Sequence, residues 1–169
     1  MPISSKKQKR SLETGALIQF SEALAVQLGA GHFSFHELCS PPEPDGLCSL
    51  DGQSLHVEVA HIYGRESDAK KLVGCTGKSA VTREQEILSA MRPLGARLLE
   101  PLNDLLANKA TKTYQTSRVC LLIRSASPLW NLDDFRENKV NIAIPSVHPF
   151  KQIWLLCDTR ASFGVLRLV

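Results

Sequence analysis

The sequence predicts an α/β fold with a mixed central sheet flanked by helices. Three observations carry that expectation. Apolar residues at helical spacing mark amphipathic helices over 11–28 and 101–114. Val119-Cys120-Leu121-Leu122-Ile123 is a continuous apolar run, as expected of a central strand buried on both faces. Asp51-Gly52 separates two strand-like runs, a strong signal for a two-residue hairpin turn.

Taken in order, Ser11 is a helix cap, and Leu17, Phe20, Leu24 and Leu28 share one face of the helix that Gly29 closes. Glu13 starts that face, one turn before Leu17. Residues 32–38 alternate and read as a strand. Ser40-Pro41-Pro42-Glu43-Pro44 contains three prolines, which lack the donor a sheet needs. Residues 46–50 and 53–63 form the hairpin. In its second strand Leu55, Val57 and Val59 share one face, and His56, Glu58 and Ala60 the other.

Residues 64–80 read as a long polar loop with one helical turn near 69–72. Thr82 and Gln85 make a capping box for a helix over 83–91. Pro93 interrupts, and Pro101 is placed in the first turn of the next helix. Residues 128–147 are irregular, with a short strand or turn around 140–144. Residues 153–157 and 164–168 read as strands.

A chain of 169 residues with 43% hydrophobic content builds one core and not comfortably two. The expected division is a flexible basic N-terminus over 1–10 and a single domain over 11–169. Lys6, Lys7, Lys9 and Arg10 either touch phosphate or form a solvated tail. The net charge of +3 permits nucleic-acid binding without arguing for it. No apolar run reaches the ~18 residues of a membrane span, and the N-terminus lacks the apolar stretch of a secretory signal. The five cysteines are scattered with no Cys-x-x-Cys pair, which disfavours a zinc ribbon. A reduced, cytoplasmic protein is expected.

The hairpin arithmetic gives the chemistry. With Asp51 and Gly52 in the turn, Leu50 faces Gln53, and Asp45 falls opposite Glu58. Like charges directly opposed destabilise a sheet. At roughly 5 Å and an effective dielectric near 20 they repel by about 3 kcal/mol. A divalent cation is the simplest offset. Magnesium is commonly held by one or two carboxylates, water and substrate phosphate.

Pro44-Asp45, then Glu58-Val59-Ala60 on a strand, resembles the PD-(D/E)xK nuclease superfamily, whose fold is restriction-endonuclease-like. The order helix, three strands, helix, strand over 11–123 is similar to that core. The resemblance implies a hydrolase cutting phosphodiester bonds with Mg2+ or Mn2+, on DNA more than RNA, with a homodimer as one assembly. It implies metal ligation by Asp45, Glu58 and the backbone carbonyl of Val59, with Glu13 matching an acid some members carry on the first helix. Ala60 stands where the family has lysine. Some members supply that lysine from another element, and Lys109 and Lys112 are the best substitutes here, followed by Lys70 and Lys71. His56 and Tyr114 are accessory candidates. The alternative is a catalytically inactive nuclease-fold module that binds nucleic acid or a protein; a third is an unrelated α/β protein with incidental carboxylates.

Other motifs are weaker. Gly77-Lys78-Ser79 lacks the first glycine of a P-loop, Leu72 standing in its place. The histidines have no helical metal spacing, Cys75 has no implied histidine partner, and Trp130 and Trp154 read as core.

Overall fold

The computed structural model describes residues 5–63, 93–125, 130–159 and 162–169. The expected loop over 64–80, the helix over 83–91, Gly77-Lys78-Ser79, Lys70, Lys71 and Cys75 lie outside these residues. Six strands form one mixed sheet in chain order: β1 (Phe33–Leu38), β2 (Gly46–Leu50), β3 (Gln53–Ile62), β4 (Val119–Ser125), β5 (Phe150–Thr159) and β6 (Ser162–Arg167). The first three strands are antiparallel, β3, β4 and β5 run parallel, and β6 returns antiparallel.

The hairpin has the expected register, from Leu50 opposite Gln53 to Gly46 opposite Val57. Asp51 and Gly52 both take positive φ, 50° and 75°. That pair of angles matches the right-handed twist of the strands it joins.

Helices cover both faces. α1 (Ser5–Leu28) packs Ala16, Leu17, Phe20, Ala23 and Leu24 against Val57, Val59, Leu122, Trp154 and Leu156. The expected face is buried except at Leu28, which is about half exposed. α1 also begins ahead of the expected cap Ser11 and takes in the basic cluster. Lys9 and Glu13 pair one turn apart there, the spacing that supports a helix.

α2 (Leu94–Ala110) and α3 (Leu132–Glu137) cover the other face. Their Leu98, Leu102, Leu106, Leu132 and Phe135 pack on Ala60, Ile62, Leu121, Ile123, Ile153 and Leu155. The expected first-turn role of Pro101 is corrected, because Pro101 lies inside α2. An interior proline forfeits a backbone bond and costs about 3 kcal/mol. The apolar stripe overrides it by starting upstream at Leu98, which is fully buried with Leu102. α2 also stops at Ala110 rather than near Tyr114.

The strand or turn expected over 140–144 is corrected as well. That stretch follows α3 with a single 3-10 turn, Lys139–Asn141. Asn131 starts α3 with a full capping box, accepting from Asp133 N and Asp134 N while Asp134 accepts from Asn131 N. Trp130 and Trp154 are core residues. No helix among the described residues is long and apolar enough to cross a membrane.

Candidate active site

β2 begins at Gly46, opposite Val57, while β3 continues beyond that pair to Ile62. Past that step β3 pairs with β4 on one side only. Asp45 fills the step with its side chain, and Oδ2 accepts the Val59 N–H at 2.9 Å. The N–H and C=O of one strand residue point the same way, so the Val59 carbonyl also faces the Asp45 side.

Glu58 is buried on the α2 face, where an unpaired acid is costly. It is not unpaired. Lys109 Nζ donates to Glu58 Oε1 at 2.6 Å and Lys112 Nζ to the same oxygen at 2.9 Å. The helix places them. Lys109 lies in the last turn of α2, and the Lys112 N–H bonds back to the Lys109 carbonyl, which keeps the chain coiled on that side. Cations in a last turn also complement the helix dipole. The offset expected from a metal ion is thus supplied, at Glu58, by two ammonium groups.

α1 brings the third acid. A Cβ on Gly46 would meet Leu17 Cδ1 at 2.7 Å, so the glycine permits α1 to approach β2 closely. One turn earlier, Glu13 is buried beside Asp45. Lys9 Nζ lies 3.2 Å from Glu13 Oε1 and 4.0 Å from Asp45 Oδ1. The former contact is an ion pair without hydrogen-bond alignment, which leaves Glu13 Oε1 buried and without a hydrogen-bond partner among the described residues.

Three carboxylates and three lysines therefore meet where α1, β2, β3 and α2 converge. A cleft of about 800 Å3 opens beside them, lined by Lys6, Lys9, Glu13, Val59, His61 and Lys109 among others. Burial and the Asp45 charge raise the Glu13 carboxyl, with Lys9 opposing. Burial would also raise Glu58, but the hydrogen bonds and charges of Lys109 and Lys112 outweigh it and hold that carboxyl below its usual value. The bond to Glu58 raises Lys112 in turn.

Tyr114 joins the cluster. Its Oη is buried without a hydrogen-bond partner among the described residues, and burial, then the charges of Glu58 and Asp45, push the phenol up. His56, two positions before Glu58 on β3, gathers with Cys39 and Glu43. His61 was missed as a site residue, although alternation from Val57 and Val59 puts it on the α1 face. It lines the cleft and stacks with Tyr63 at 6.0 Å. Across the same face Arg124 Nε donates to Asp158 Oδ2 at 2.7 Å. Burial, then the Arg124 charge, lower the His61 imidazole to about 4. Lys9 was also missed as a partner, and its spacing of four from Glu13 is the signal that finds it.

The donor set suits a hard cation. Asp45 offers Oδ1 and Glu58 Oε2 beside the oxygens already engaged, the Val59 carbonyl faces Asp45, and Glu13 adds a buried carboxylate whose Oε1 is ion-paired with Lys9. Glu13, Asp45 and Glu58 do not converge within 4.8 Å as a three-acid cage. Sites holding magnesium by two carboxylates and water need no such cage. No protein-family model, curated protein or solved structure matches this chain.

Proposed function

We propose that this chain is a divalent-metal-dependent nuclease with a restriction-endonuclease-like core, hydrolysing phosphodiester bonds of DNA, with RNA the second candidate substrate. The observation that carries the reading is the convergence of Lys109 and Lys112 on Glu58. It puts ammonium groups at the acid whose own strand carries Ala60 in place of the family's lysine. Among the described residues the order helix, three strands, helix, strand and the parallel β3–β4 pair support the fold reading.

Asp45, Glu58 and the Val59 carbonyl are the proposed ligands of Mg2+ or Mn2+, with Glu13 beside them. Such an ion supplies charge neutralisation and a more acidic bound water. The chain's own part is positional. Asp45 is fixed by Val59 N–H, and the lysines hold positive charge where a phosphoryl oxygen gains negative charge. Lys6 and Lys9 line the cleft and offer contacts to the flanking backbone phosphates. The four described cysteines are free thiols, which supports a reducing, cytoplasmic setting.

The second reading is a binding module without catalysis. What favours it is that both amines are already engaged by one carboxylate oxygen. Purified protein incubated with Mg2+ or Mn2+ and mixed nucleic acid separates the two. Metal-dependent cleavage that Glu58→Ala abolishes is the expected result. Cleavage at the wild-type rate by Glu58→Ala sinks the nuclease reading, and retained binding without cleavage supports the module.

A further inference from the structure

A second group of side chains lies behind the carboxylate pair. One ligand atom each from Cys39, Glu43 and His56 all lie within 4.8 Å of one another. It is the sole such set of three His, Cys, Asp or Glu residues among the described residues. Cys39 follows the end of β1, Glu43 sits in the loop before β2, and His56 is on β3. Glu43 lies two positions before Asp45 and His56 two before Glu58.

Main-chain bonds hold this geometry. Cys39 N–H donates to the Asp45 carbonyl at 2.9 Å, Glu43 N–H to the Ser40 carbonyl at 3.2 Å, and His56 N–H to the Arg118 carbonyl at 2.9 Å. Cys39 lies in the field of Glu43, Glu37 and Asp45, a negative surrounding that favours a cation. A pocket of about 240 Å3 adjoins the group, lined by Glu43, Pro44, His56, Gln115 and Thr116, and gives room for a water as fourth ligand.

The donor chemistry differs from that of the first site. A thiolate sulfur, an imidazole nitrogen and a carboxylate oxygen suit a borderline-soft ion, while magnesium takes oxygen. Donors about 2.0–2.3 Å from one tetrahedral zinc lie roughly 3.3–3.8 Å apart. The ligand atoms lie within 4.8 Å of one another, so metal binding requires a small side-chain rotation, and the exposed Glu43 and partly exposed His56 and Cys39 are not locked in a fully buried setting.

We propose that Cys39, Glu43 and His56 form a zinc site, separate from the carboxylate site, that ties the end of β1 and the Asp45 loop to β3. On binding, the Cys39 thiol gives its proton to solvent and the sulfur bonds the metal as thiolate. The His56 nitrogen and the Glu43 carboxylate complete three protein ligands. The site fixes the backbone on which Asp45 is mounted, and its existence does not depend on nuclease activity.

Cobalt(II) titration of the full chain, in excess Mg2+ to occupy the oxygen site, tests this. The wild type is expected to show tetrahedral cobalt bands and a thiolate-to-cobalt charge-transfer band saturating at one ion per chain, and zinc abolishes both. Cys39→Ser loses the charge-transfer band, and His56→Ala weakens binding at least about 100-fold, since even outer-shell partners are worth 10–100-fold. Asp45→Asn keeps the bands. Zinc raises the thermal midpoint of the wild type and leaves that of Cys39→Ser unmoved, so a folded variant is distinguished from an unfolded one. Absence of the charge-transfer band in the wild type, or its persistence in Cys39→Ser, overturns the proposal.

Discussion

Lys109 Nζ stands 2.6 Å from Glu58 Oε1, although 51 positions separate the two residues in the chain. The contact joins the last turn of α2 to the middle of β3 and is mostly shielded from water. Lys112 reaches the same oxygen from a more exposed position. Lys109→Met is therefore expected to lower stability by about 1–3 kcal/mol, the cost of depriving a buried acceptor of a charged donor. Lys112→Met should cost less, because exposed ion pairs contribute about 0–1 kcal/mol. Denaturant midpoints give both values. In the nuclease assay the double variant is expected to lose cleavage, and full cleavage by it rules out a catalytic role for either amine.

Asp45 serves the fold through its hydrogen bond to Val59 N–H, and the proposed metal site would use its charge. Asp45→Asn keeps an oxygen that can accept from Val59 N–H, so its melting temperature should stay close to wild type while Mg2+ or Mn2+ binding falls. Asp45→Ala removes the acceptor too and is expected to cost about 1–2 kcal/mol more. Calorimetric metal titration and thermal melts separate the two effects. Equal metal affinity in wild type and Asp45→Asn argues against ligation by Asp45.

His61 sets a pH dependence. Its folded value lies near 4, below an ordinary value of 6.5. Below 6.5 the unfolded chain binds a proton that the folded chain refuses. Stability is therefore lost as pH falls from about 6.5 toward 4, and the loss is complete only below 4. The loss amounts to about 3 kcal/mol at most. Denaturation at pH 7 and pH 4.5 should show it, and His61→Gln should shrink the difference. An unchanged difference in that variant assigns the effect to other groups.

Gly46 controls the spacing of α1 from the hairpin. Gly46→Val places atoms where Leu17 already lies, and overpacking of this kind costs about 1–3 kcal/mol. Because the displaced helix also carries Glu13 and Lys9, metal affinity should fall together with stability. Pairing Gly46→Val with Leu17→Ala should restore part of both, and thermal melts with and without metal read the result.

The hairpin was legible because its turn residues and alternation fix one register, and that register alone put Asp45 near Glu58. The substitute lysines were legible only as residues on a later helix. Their contact with Glu58 depends on how far α2 extends past Leu106, which the stripe of leucines does not state. Pro101 misled because its local preference for a first turn is weaker than burial of Leu98 upstream. The cluster of Cys39, Glu43 and His56 left no trace in the spacing of its residues. Its members converge only after β1, a proline-rich turn and β3 have packed.

The bond from Val59 N–H to the Asp45 carboxylate has a further consequence. A side chain there occupies the place where another strand residue would have paired. One more main-chain pair in the hairpin would evict the carboxylate, and one fewer would leave it short of β3. The length of a strand and the location of a charge are thus a single variable in this protein. Insertions or deletions in the hairpin arm before Asp51 are therefore expected to displace the Asp45 carboxylate from Val59 even when every residue of the proposed site is retained.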